Sequence, residues 1–155
     1  MVRFWIAVVI VLALFSALGV SFSLSENTPN IFAAPEQLSP SDWIKEEQIK
    51  VYDSRVILDI ENANWSQFTN TNSMDPFLDE DANAIEIVPK DPLDIHVGDI
   101  ISYHTVFGVL IHRVIETGED DQGIYYLVQG DNNSFRDPFK IRFEDVEGVL
   151  VAIIY

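Results

Sequence analysis

Ile100-Ile101-Ser102-Tyr103-His104-Thr105-Val106, followed past Phe107-Gly108 by Val109-Leu110-Ile111-His112-Arg113-Val114-Ile115-Glu116, decides the fold. Both runs are rich in β-branched and aromatic side chains, which fit the pleated, half-buried surface of a sheet. Ala84–Val88, Ile124–Gln129 and Val146–Tyr155 repeat that composition on either side. Turn signals separate the runs. Pro89 to Gly98 carries two prolines and ends in Gly98-Asp99, and Thr117 to Gly123 is polar with glycine near each end, the pattern of a hairpin loop. The expected domain is mostly β and largely antiparallel.

Upstream, Tyr52, Val56, Leu58 and Ile60 share one parity, so Val51–Ile60 reads as a single strand. Ser41-Asp42 could cap a short helix running through Lys45 to Gln48. Residues 25–40 mix Ser, Asn, Pro and Glu without apolar periodicity and read as a linker. Before them, Phe4 to Leu24 carries no charge, and its 21 residues at about 1.5 Å each give roughly 31 Å, the thickness of a hydrocarbon core. Arg3 precedes this run, whereas Glu26, Glu36 and Asp42 follow with no cation before Lys45, which places the start inside and the remainder outside the cytoplasm. A cleaved signal peptide has a similar outline, but its apolar core is usually only about 7 to 15 residues. The expected organisation is a transmembrane anchor over 1–24, a linker with a short helix and strand over 25–62, and a β-rich domain over 63–155.

The chain has 25 acidic against 9 basic side chains, a net charge of −16. Such a surface repels phosphate backbones, so nucleic acid is excluded as a partner class. Cysteine is absent, so there is neither a disulfide nor a thiol nucleophile. Asn64-Trp65-Ser66 and Asn132-Asn133-Ser134 match the short glycan-acceptor pattern. Asp79, Asp81 and Asn83 invite a calcium-loop reading, but Ala84 and Lys90 stand where such a loop needs glycine and glutamate, so a solvated acidic loop is the simpler account.

The remaining chemistry centres on Ser73, within Asn72-Ser73-Met74-Asp75-Pro76. A serine hydroxyl is a poor nucleophile unless a neighbouring base removes its proton, and a neutral imidazole is the usual base. His112 lies in an otherwise apolar strand, with Leu110 and Val114 on its own face. A satisfied core histidine is the plainer alternative there. Asp131 and Asp137 flank the turn Gly130-Asp131-Asn132-Asn133, and a carboxylate at that place could fix the imidazole tautomer. Ordinary turn chemistry explains the same residues.

Taken together, Ser73-Met74-Asp75-Pro76, then Gly98-Asp99 before an apolar strand, then His112-Arg113 and Gly130-Asp131-Asn132, resemble the boxes of a type I signal peptidase over roughly residues 69–155. The histidine, where bacterial relatives carry lysine, points to the archaeal and endoplasmic-reticulum branch. The chain departs from the family pattern at Asn72, at Phe77 and in the acidic stretch Asp79 to Glu86. The resemblance implies a signal-peptidase-like antiparallel β catalytic domain behind one membrane helix. It implies Ser73 as nucleophile, His112 as general base, Asp137 as the orienting acid and Asp131 as a supporting carboxylate. Thr71 and the Ser73 amide would form the oxyanion hole. No metal or organic cofactor is required. The implied activity is removal of signal peptides from exported or membrane preproteins, with small side chains before the cut, at the outer face of the cell membrane. The implied partners are signal peptides, membrane lipid and the translocation machinery. A catalytically silent peptide-binding module and a narrow-client processing peptidase are the alternatives.

Overall fold

The computed structural model describes Ala34 and residues 36–155, so the anchor expected over residues 1–24 lies outside the described residues. Nine strands run in chain order: β1 (Ile49–Tyr52), β2 (Arg55–Leu58), β3 (Ala63–Gln67), β4 (Asn83–Ile87), β5 (Ile100–Thr105), β6 (Gly108–Asp120), β7 (Gly123–Gln129), β8 (Ile141–Arg142) and β9 (Val146–Ile154). Three short 3-10 helices, Glu46–Gln48, Pro92–Asp94 and Phe143–Asp145, complete the regular structure among the described residues. The protein is mostly β, as the branched and aromatic runs require, and every strand pair is antiparallel. Seven strands form one sheet in the order β3-β4-β9-β5-β6-β7-β8, and β1-β2 form a separate hairpin.

Alternation along β5 divides the apolar interior. Ile101 and Tyr103 join Val114, Tyr126, Val128, Ile141 and Val149 in one cluster, whereas Ile100 joins Met74, Leu78, Ala82, Ala84 and Leu150 in another. Successive strand residues point to opposite faces, so a period of two feeds both clusters from one strand. Each fully buried Val, Ile or Leu contributes about 1.5–3 kcal/mol relative to exposure. The second cluster takes Met74 and Leu78 from the segment between β3 and β4. That burial ties the Ser73 segment to the sheet.

Three local expectations are corrected. Val51–Ile60 is not one strand: Asp53-Ser54 turns the chain so that β1 and β2 pair as Tyr52↔Arg55 and Val51↔Val56. The shared parity spans a turn, and periodicity cannot distinguish one long strand from two short arms. The helix from Ser41 shrinks to Glu46–Gln48, because the Ser41 amide donates to Asp99 Oδ1 at 2.6 Å instead of opening a helical turn. Thr117–Gly123 is largely strand: β6 continues to Asp120 and meets β7 at Gly123. Asp120 makes this tight turn possible, accepting from the Gln122 amide at 3.0 Å and from Lys140 and Arg142 at 2.6 and 2.9 Å. Those cations, Arg142 foremost, hold its carboxyl well below the usual carboxylate range.

Gly98-Asp99 is a structural junction. Gly98 has φ +104, and a Cβ there would lie 2.1 Å from the Ser39 carbonyl oxygen, so only glycine fits. Asp99 is fully buried and accepts from the Ser41 amide at 2.6 Å and the His96 amide at 2.8 Å. Its carboxylate closes the approach segment onto the start of β5.

Candidate active site

β6 pairs with β7 only from Arg113 onward, opposite Gln129, so Val109–His112 pair with β5 alone. All four of these residues line a cavity of about 310 Å³, which Ser66–Thr69 of the edge strand β3 and its continuation also line. Thr71, Ser73 and Met74 also border it. β3 is a sheet edge and β6 lacks its β7 partner over Val109–His112, so both border the cavity with strand groups left without a neighbouring strand on one side, where an extended chain could pair.

Ser73 is held there by the turn after β7. Its carbonyl accepts from the Asn132 amide at 3.0 Å, while Asn132 Nδ2 donates to the Asn72 carbonyl at 2.9 Å. Asn72 has φ 58, a left-handed conformation that asparagine tolerates better than most residues. Gly130 permits the approach, since a Cβ would stand 2.5 Å from the Ser73 carbonyl oxygen. Ser73 Oγ lies 3.2 Å from Thr71 Oγ1. The Thr71 hydroxyl expected to aid an oxyanion is thus beside the Ser73 hydroxyl, two residues away.

His112 is buried on β6, and its Nδ1 lies 2.9 Å from Asp137 Oδ1. Tyr103, directly along β5, completes a triangle: its hydroxyl donates to Asp137 Oδ2 at 2.6 Å and lies 3.0 Å from the same Nδ1. The phenol has one proton and gives it to the carboxylate, so its oxygen can only accept from the ring. Nδ1 therefore carries a hydrogen, which in a neutral ring leaves the lone pair on Nε2. Burial, then the bond and charge of Asp137, push the Tyr103 phenol far above its ordinary value. It remains a donor at any working pH.

The structure separates the two aspartates that the chain alone leaves equivalent. Asp137, aligned by its amide donating to the Val128 carbonyl at 2.9 Å, meets the imidazole. Asp131 meets Arg113 instead, through paired bonds of 2.7 Å from Nε and 2.6 Å from Nη2, and Arg113 Nη1 reaches the Gly98 carbonyl at 2.8 Å. Planar two-bond pairing of this kind is rigid. Asp131 thus braces the turn that holds Ser73, and its role is positional rather than a second contact to the ring. Among the described residues no hydrogen bond joins Ser73 to His112, although both border the cavity.

Tyr103 escaped sequence reasoning because an aromatic residue in a strand reads as packing. The available signal was its place two residues beyond Ile101, the partner of His112 on the same face. Glu86 escaped too: it is only 3% exposed, borders the cavity, and accepts from Ser66 and Ser102. No protein-family model matches the chain, and no curated protein matches it.

Proposed function

We propose that the chain is a membrane-anchored serine endopeptidase of the signal-peptidase type, which removes signal peptides from exported or membrane preproteins outside the cytoplasm. The observation that carries this reading is that Ser73 and His112 border one cavity, with His112 Nδ1 2.9 Å from Asp137. The two strand edges beside it suit an extended peptide, and the boxes around Ser73, His112 and Gly130 supply the resemblance.

In the proposed reaction, Ser73 Oγ attacks the scissile carbonyl while His112 Nε2 takes its proton. Asp137 stabilises the resulting imidazolium through Nδ1–H. The Thr71 hydroxyl and the Ser73 amide stabilise the oxyanion, and one such donor is typically worth about 2.7–4 kcal/mol. His112 then protonates the leaving amine, giving an acyl-enzyme, and the same ring activates the water that releases it. Joining Ser73 to His112 in the substrate complex completes the set, since catalytic hydrogen bonds commonly tighten there. The anchor keeps this chemistry at the membrane, where the cleavage site of a translocating chain is concentrated.

Cleavage of a signal-bearing preprotein by the full chain in membranes tests the reading. Ser73→Ala and His112→Ala should each abolish cleavage, and Lys90→Ala should leave it intact. Full processing by Ser73→Ala would overturn the proposal. Binding of the uncleaved preprotein without turnover by the unmodified chain would favour the silent module, a reading to which the open Ser73–His112 arrangement also lends itself.

A further inference from the structure

β9 breaks its alternation opposite β5. Ser102 pairs with Gly148, whereas the next residue, Tyr103, pairs with Val146, so Glu147 is an extra residue without a partner on β5. A bulge of this kind re-aims one side chain and is common beside active sites. Its effect shows on both faces of the sheet. Val146 packs against the cluster that holds Tyr103, the place strict alternation would give to Glu147, and Glu147 lines the cavity with Ser102 instead. Glu86 is buried, but the Glu147 side chain is 44% exposed, so a bound molecule can reach its carboxylate.

Among the described residues, Glu86 and Glu147 are the only carboxylates that line the cavity, and neither a lysine nor an arginine lines it. The cationic candidate beside Glu147 is His104, whose Nε2 lies 3.6 Å from Oε2, too far for a hydrogen bond, on a side chain 62% exposed. An ion pair so open is weak and yields to a better placed partner. Apolar walls from Phe68, Met74, Leu78 and Ile111 focus the negative field of the cavity. One reachable carboxylate suits an ammonium or guanidinium group. Among the described residues no group of three His, Asp or Glu could hold a metal ion.

Ile100 packs in the cluster of Met74, next to Ser73, whereas His104, four residues further along β5, stands against Glu147. At about 3.3 Å per residue this separation is roughly 13 Å. An extended peptide running alongside, with its scissile bond at Ser73, would bring its fourth or fifth residue from the cut to Glu147. We propose that Glu147 selects a lysine or arginine at that distance from the scissile bond, on the side of the cut that runs toward His104, and repels an acidic residue there. The selection rests on the proposed peptidase reading and adds a charge preference to it.

The test uses the full chain in membranes and one preprotein carrying Lys, Gln or Glu, one at a time, at the fourth and fifth residues on either side of the cut. At one of these positions Lys should give a kcat/KM about fivefold above Gln, and Glu about fivefold below it, the effect of a single half-exposed charge pair. Glu147→Gln should bring the three substrates level. Glu147→Lys should reverse their order, a result that misfolding cannot produce. Ser73-dependent cleavage with no charge preference at any of these positions overturns the selection alone. A Lys preference that survives Glu147→Gln also overturns it, since the net charge of −16 would then be the cause. No Ser73-dependent cleavage of any substrate overturns the proposed peptidase and the selection with it.

Discussion

Tyr103 joins His112, the proposed base, to Asp137, its proposed acid, through one oxygen. Without its hydroxyl, Asp137 Oδ2 would lose its 2.6 Å donor inside the protein, while the ring would still fill the core. Tyr103→Phe should therefore destabilise the fold by about 1–3 kcal/mol in urea unfolding, the cost of an unpaired buried acceptor. Its effect on kcat should be about tenfold, because His112 keeps the direct 2.9 Å contact to Asp137. Asp137→Asn should cost far more, about 10⁴-fold, since an amide can present its NH₂ to Nδ1 and reverse the tautomer. Equal losses in the two variants would show that Tyr103 does more than hold the acid.

At the level of elements, the site is a docking of two loops on a strand edge. The Ser73 segment reaches the sheet through Met74 and Leu78, and the turn after β7 reaches the Ser73 segment through Asn132. Gly130 is the tightest point of that contact. Gly130→Ala would set a methyl 2.5 Å from the Ser73 carbonyl oxygen and 2.6 Å from Asn133 Nδ2, and backbone must yield. The expected outcome is a fall of about 100-fold in kcat with a preserved β circular-dichroism spectrum, because a shift near 1 Å in a reacting group suffices for that loss. Unchanged cleavage would mean that the turn does not set the nucleophile. The same docking explains why β6 has no β7 partner at Val109–His112: β7 ends at Gln129 and the chain leaves to form that turn. One strand ending supplies both the clamp and the open edge.

Across the whole molecule, two carboxyls, one buried and one half-exposed, set opposing pH responses. Burial, foremost, and then the Glu147 charge raise the Glu86 carboxyl above its ordinary value, against the lowering bonds from Ser66 and Ser102. The folded state consequently holds a proton that the unfolded chain releases. Its contribution to stability is fully present below the unfolded value and is lost as pH rises through the raised folded value. Asp120 works in the other direction: held low by Arg142 and Lys140, it stabilises above its unfolded value and loses that contribution in acid. Glu86→Gln removes one titration and keeps the shape. Urea midpoints taken from the ordinary carboxylate range upward should fall less steeply for this variant than for the unmodified chain, and parallel curves would show that the environment of Glu86 does not shift its ionisation.

The β character of the domain was legible in the chain, because a period of two with branched and aromatic residues is a local property set by side-chain fit to a pleated surface. Ser73, His112 and Asp137 could be singled out in the same way, as reactive groups in turns or in an apolar run. Strand order, the Asp53-Ser54 turn and the short strands β3 and β8 were not, since each depends on partners distant along the chain. Position and turn context could not say which aspartate meets the imidazole, a choice for Asp137 that rested on the family resemblance alone. Asp131 and Asp137 have similar turn surroundings in one dimension, and only packing brings Arg113 to one and His112 with Tyr103 to the other. The buried Glu86 shows the same limit: its neighbours Ser66 and Ser102 come from two other strands, and a carboxyl becomes an interior group only when the sheet closes around it.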